Sequence, residues 1–207
     1  MLQIPHYRAI MLATVVAFMV NMDWLIFLSQ LPVNPSSLRV NVWRKLRAAG
    51  ALGLQNGVWL LPDQPEQVEF LKDLLTAIQN QGASGQIFRV APLTESIEAD
   101  IIARMRQDRE EEYAELLEGT ENFLAEIEKE TRNQKFTFPE LEEIEQDLQR
   151  LTTWLEKIQR RDFTGCQKGG EAVKALEACR SSFETFSAEV YVRQAGANGS
   201  DMDSNDQ

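Results

Sequence analysis

The chain has 207 residues, of which 43% are apolar and 26% charged, and its 21 Lys+Arg against 32 Asp+Glu give a net charge of −11. It is too apolar to stay wholly unfolded and too short for a β/α barrel or a two-half dinucleotide fold, which leaves one globular domain with helical appendages or two small domains. The sole histidine, His6, lies near the chain end, and Cys166 and Cys179 have no CxxC spacing and no neighbouring His. That pattern sets aside Ser-His and Cys-His hydrolases, a disulfide framework and a zinc site, and suits a reducing compartment.

Ala9 to Val20 is an unbroken apolar run of twelve residues. Twelve residues of helix span about 18 Å, against a hydrocarbon core of about 30 Å. Extending the run to Leu28 would bury Asn21 and Asp23, and the Asp alone costs about 3 kcal/mol at a bilayer centre. A transmembrane helix is therefore disfavoured. Three readings of residues 1–21 stand: translation from a start codon placed too far upstream, an export or membrane signal lacking a small-x-small cleavage pattern, or a packed helix.

Trp24-Leu25-Ile26-Phe27-Leu28 is a short aromatic-rich apolar run closed by Leu31-Pro32, the pattern of a strand buried on both faces. Ser36 or Ser37 is the expected cap of a helix in which Leu38, Val42, Leu46 and Ala49 face inward and Gly50 is the stop. Gln55-Asn56-Gly57 between the apolar runs Ala51–Leu54 and Val58–Leu61 signals a hairpin. Pro65 to Gln81 carries Val68, Leu71, Leu74, Leu75 and Ile78 on one helical face, and Gln86 to Val90 reads as a last strand. The order β-α-β-β-α-β over residues 22–93 predicts an α+β, ferredoxin-like unit, a four-stranded antiparallel sheet with both helices on one face.

From Thr94 the period is helical. Ile97, Ile101, Met105, Tyr113, Leu116, Leu117, Phe123, Leu124 and Ile127 mark a long helix interrupted by the solvated run Arg106 to Glu112, with a break at Phe136 to Pro139. Leu141, Ile144, Leu148, Leu151, Leu155 and Ile158 step by three and four, a coiled-coil seam that returns antiparallel along the first helix. Val173, Leu176, Cys179, Phe183, Phe186 and Val190 repeat the spacing in a third helix. Residues 94–192 are thus expected to form an α-helical hairpin or three-helix bundle, and residues 193–207 a disordered tail. The charge follows this division, with +1 on residues 22–94, −10 on 95–165 and −3 on 166–207. A local basic surface, not the total charge, decides contact with phosphate.

The basic candidates are Arg39, Arg44, Lys45 and Arg47 with Trp43 among them, read either as a contact with a nucleic-acid backbone or as the solvated side of an amphipathic helix with Trp43 in the core. Trp24 and Trp59 sit inside apolar runs and are expected in the core. Glu110 to Glu112, Glu115 and Glu118 place acids on one helix, but a di-metal site of that kind recruits histidines that this chain lacks, so no metal, cofactor or catalytic residue is assigned and the chain is not expected to be an enzyme. Asp23, before the first strand, supports only a remote alternative, a ferredoxin-like metal-dependent nuclease. Cys179 is expected to be packed and Cys166, beside Gly165, to be open to solvent.

Several of these segments together resemble a known family. They are Trp24 to Pro32, Arg39, Val42-Trp43-Arg44-Lys45-Leu46, Gly50-Ala51, Gly57-Val58-Trp59-Leu60-Leu61-Pro62, the glutamate-rich helices and Arg161-Asp162-Phe163. In this order, over residues 23–190, they resemble the amino-terminal region of the ChrB chromate-resistance regulatory proteins. The resemblance implies a cytoplasmic bacterial protein, not in a membrane, that regulates transcription of genes including a chromate exporter and binds operator DNA. Members of the family usually carry a further carboxy-terminal domain that is not expected here, so chromate as effector stays open. Arg160 and Arg161 are the candidates for holding such an oxyanion, against a plain helix-end charge cluster. As an alternative to DNA binding, the chain is expected to pair with a full-length regulator or a second copy through its sheet edge or its helical seam.

Overall fold

A computed structural model describes residues 23–34 and 36–200. The readings offered for residues 1–21 lie outside the described residues, as do 201–207. The elements are β1 (Trp24–Gln30), α1 (Ser36–Ala48), β2 (Leu52–Gln55), β3 (Val58–Pro62), α2 (Pro65–Gln79), β4 (Ser84–Val90), α3 (Glu95–Arg132), α4 (Phe138–Arg160) and α5 (Gln167–Ser200). The chain divides within α3, after Met105, into two compact units.

In the first unit the strands form one antiparallel sheet in the order β2-β3-β1-β4, which with α1 and α2 as crossovers is the expected ferredoxin-like arrangement. Strand β1 is central, pairing Phe27 with Trp59 of β3 and with Ile87 of β4. Alternation puts Leu25, Phe27, Trp59 and Leu61 on one face and Trp24, Ile26, Leu52 and Leu60 on the other. The first face is covered by α1, whose Leu38, Val42 and Leu46 are buried, and by α2, whose Leu71, Leu74 and Ile78 are. The second face carries a separate cluster in which Ile101 and Met105 of α3 pack with Trp24, Leu52 and Leu60. The opening turns of α3 thus complete the sheet rather than the bundle, because a central strand apolar on both faces needs cover on both.

Local chemistry explains the ends of the elements. Helix α1 starts at Ser36, so Ser36 and Ser37 lie in its first turn, and the cap position falls on residue 35, outside the described residues. It stops where expected: Gly50 takes a φ of 80° and the amide of Ala51 donates back to the Leu46 carbonyl at 2.9 Å. The hairpin forms at Asn56-Gly57, with a register shift between Gly53 and Gln55. At β4 the sequence needs a residue without Cβ: a Cβ on Gly85 would lie 2.8 Å from the Leu28 carbonyl oxygen and 3.1 Å from Leu75 Cδ1 of α2.

The second unit is a bundle of α3 from residue 106 onward, α4 and α5. Contacts rise together along α3 and α5, from Cys166 with Arg106 through Cys179 with Thr120, while Tyr113 meets Asp162 near the far end of α4. The three helices therefore run up, down and up. The seam Leu141, Ile144, Leu148, Leu151, Leu155 and Ile158 is consumed inside this core. Three expectations need correction. Val173 and Ile97 are exposed, and Ala172 takes the inward place on α5, because its small side chain fits where the helices crowd. Arg109, inside the run expected to be solvated, is only 3% exposed. Helix α5 continues through the stretch expected to be a tail as far as Ser200, and Gln194 Nε2 donates to the Phe136 carbonyl at 3.0 Å.

At the α3–α4 turn Glu130 is buried between Lys129 and Lys135, at 3.3 and 3.1 Å. Burial pushes its carboxyl up, but the two lysines outweigh that and hold it below its ordinary value near 4.5. A carboxyl lowered in the folded state adds stability above its unfolded pKa and loses it as pH falls through the folded one. Glu130→Gln is expected to lose less melting temperature than the parent chain between about pH 6 and about pH 3, as read by circular dichroism. Gly85→Ala should cost about 1–3 kcal/mol in urea unfolding, because the sheet must shift to admit the Cβ.

Candidate functional site

Helix α1 contains Arg39, Arg44, Lys45 and Arg47 and not one carboxylate. At 100° per residue these cations do not form a single face. Arg39, Trp43 and Arg47 follow at intervals of four and make one row beside the buried stripe Leu38, Val42 and Leu46. Arg44 lies on the outermost side and Lys45 on the opposite flank of the stripe, both exposed. Trp43 is 53% exposed, so of its two expected places the core is excluded.

Arg39 and Trp43 of this row edge a groove of about 670 Å³ that runs between α1, the end of β1 and the β2–β3 hairpin. Arg39 and Trp43 line it from the helix, Trp59 and Gly53 from the sheet, and Asn56 from the turn. Trp59, expected in the core, is only half-buried. Its ring lies across β2 where Gly53 has no side chain, its Cζ3 and Cε3 atoms 3.4 and 3.7 Å from where a Cβ would stand. The sheet narrows here to a short, bulged edge strand, so α1 cannot cover the ring as it covers Phe27 and Leu61.

The remaining candidates do not join this site. Arg160 is exposed at the end of α4, whereas Arg161 is mostly buried with its guanidinium on Glu112, Nη2 at 2.9 Å and Nε at 3.0 Å. The two arginines are therefore not presented together to a ligand. Asp23 is exposed at the start of β1, and its carbonyl accepts from the amide of Asp63, whose carboxylate is bound to Arg89 at 2.6 Å. Among the described residues no group of three or more His, Cys, Asp or Glu is placed to hold a metal ion, and no helix is long and apolar enough to cross a membrane.

The profile of the family described as Protein ChrB, N-terminal, matches residues 39–197, a span that holds α1 from Arg39, the groove-lining hairpin and the bundle. The chain belongs to this ChrB amino-terminal family. Protein ChrB of Cupriavidus metallidurans is 33% identical to it over 92 residues, which cover 44% of this chain and 28% of that relative. No solved structure matches the chain.

The ChrB-type bundle also shows what Arg161-Asp162-Phe163 does in this fold. Asp162 accepts from the amides of Thr164, Gly165 and Cys166 at 3.2, 2.9 and 3.0 Å, from Thr164 Oγ1 at 3.1 Å and from the Tyr113 hydroxyl at 3.2 Å. One carboxylate thus satisfies the first amides after α4 and ties the turn to α3. Burial, and then the Asp162 charge, push the Tyr113 phenol far above its ordinary value, so it remains a donor. Arg109 was not singled out from sequence, although its spacing gave a signal: it lies four residues after Met105 and four before Tyr113, in the apolar seam. It pairs with Glu112 at 3.2 Å, which in turn holds Arg161.

Cys166 is buried, not open to solvent, and desolvation raises its thiol pKa; Cys179 is pushed up to about 11 by burial. Asp162→Ala is expected to destabilise the bundle by about 2–4 kcal/mol in chemical unfolding, since several amides and the Tyr113 hydroxyl lose their acceptor at once. Both thiols should react with Ellman's reagent far more slowly in the native chain than in denaturant, because neither is exposed or ionised near neutral pH.

Proposed function

We propose that this ChrB-type chain is a DNA-binding transcriptional regulator associated with chromate resistance, meeting the duplex backbone through α1. The observation that carries the reading is the charge of that helix: four cations and no carboxylate on an outer element, while residues 22–94 as a whole carry only +1. The acidic helices repel phosphate, and α1 attracts it. Exposed Arg44 and Lys45 supply phosphate contacts, which position a protein on DNA without reading sequence, while Arg39 lies on the groove side of the helix. The reading is one of binding and assigns no catalysis. Chromate, as effector, would act by changing this binding.

A specific observation also favours self-association or pairing with another regulator. The seam of α4 is consumed within the bundle, whereas in the first unit the edge strand β4 presents Phe88, which is 47% exposed. An exposed edge strand pairs readily with another chain.

The test is fluorescence anisotropy of the full chain with labelled duplex from upstream of its own gene, at several salt concentrations, with and without chromate. Two phosphate contacts predict a log-log salt slope of about −1.8. Arg44→Glu with Lys45→Glu should weaken binding at least about tenfold at low salt. Binding no tighter than to scrambled duplex, or unmoved by the charge reversals, would contradict the reading. Release by chromate would make the oxyanion an effector of this chain.

A further inference from the structure

We propose that the groove between Trp43 and Trp59 is a binding site for an unpaired nucleobase, with Arg39 held for the phosphate next to it. The proposal concerns the groove and does not rest on duplex binding by the outer side of α1.

The chemistry of the lining selects this ligand class. Two indoles line one groove of about 670 Å³, a size that admits a nucleotide. Trp43 is 53% exposed although it stands next to a buried stripe, and the half-buried Trp59 ring lies beside Gly53, its Cζ3 3.4 Å from where a Cβ would stand. Exposed indole surface of this kind is a stacking platform, and every base has a π-face to offer. Among the described residues the only ionic side chain in the lining is Arg39, with no carboxylate beside it. That arrangement repels organic cations, which an aromatic cage would otherwise suit. For a small tetrahedral oxyanion, one guanidinium is a poor holder and both rings would go unused. An uncharged sugar would leave Arg39 without a counterpart. A base joined to a phosphate uses both rings and the cation, while the side-chain amides of Gln30 and Asn56 in the lining offer donor and acceptor to a base edge.

A duplex cannot present such a base without extruding it, so the sources are a free nucleotide or a single strand. Intrinsic tryptophan fluorescence of the full chain would be titrated with AMP, with an oligothymidylate of about twelve nucleotides, and with an abasic strand of the same length and charge. The oligothymidylate is expected to quench and to bind at least about tenfold more tightly than the abasic strand. Quenching by AMP as well would identify a free nucleotide as sufficient, whereas quenching by the oligothymidylate alone would identify a single strand. Trp43→Ala, on an exposed helix position, should lower oligothymidylate affinity about tenfold or more with its melting temperature unchanged, and Arg39→Gln should lower it while reducing the salt slope by about one. Equal affinity for the abasic strand and the oligothymidylate, or unchanged affinity in Trp43→Ala, would overturn the proposal. Neither result would bear on duplex binding, which is read separately from charge reversal at Arg44 and Lys45.

Discussion

The first unit depends on a strand that is apolar on both faces. Trp24, Leu25 and Phe27 of β1 are all at most 2% exposed, so β1 can sit only at the centre of a sheet with cover above and below. Its two neighbours follow from that, and so do the crossovers: α1 and α2 close the Phe27 face, and the first turns of α3 close the Trp24 face. The helix that begins the acidic region is thereby committed, over its first three turns, to the α+β unit.

The same constraint creates the candidate site. Cover of the Phe27 face is complete over Leu25 and Phe27 of β1 but runs out toward β2, a strand of four residues with a register shift. Trp59 lies on this incompletely covered border, and Arg39 and Trp43 of α1 line the groove with it. A helix used for packing on one side can carry cations on its others without cost to the core, because charged stems remain solvated there. In the second unit the charges serve a different end. Arg109, Glu112 and Arg161 are linked and mostly buried, and Asp162 organises the turn beside them, so this polar layer fixes which turn of α3 meets the end of α4. Removing Glu112 would take the carboxylate from the mostly buried Arg161, a loss that costs more than the pair itself contributes.

Much of this was legible in the sequence. The run Trp24 to Leu28, Asn56-Gly57 between apolar arms, and the seam from Leu141 to Ile158 each carry a period or turn signal that is local, and each element lies where that signal puts it. What a face packs against is not local. Trp59 reads as core in Gly57-Val58-Trp59-Leu60-Leu61 because its neighbours along the strand are apolar, and only the sheet order shows that its cross-strand neighbour is a glycine on an edge strand. Arg109 hides among like residues in a charged run, although the seam passes through it. Ile97 and Val173 fit their apolar stripes by spacing yet are both exposed. Of the basic residues on α1, the sequence supplied the identities and the helix geometry supplied the sorting, into a groove-side row and two cations pointing elsewhere.

Hydrogen exchange of the full chain, followed by mass spectrometry with and without duplex from upstream of its own gene, tests most directly the claim that nucleic acid is met by α1 and the adjoining hairpin and not by the acidic bundle. The account predicts slowed exchange in peptides covering residues 36–48 and 52–62, and unchanged exchange in those covering 138–190. Slowing confined to the bundle peptides, or bound DNA that leaves residues 36–48 unchanged, would contradict it.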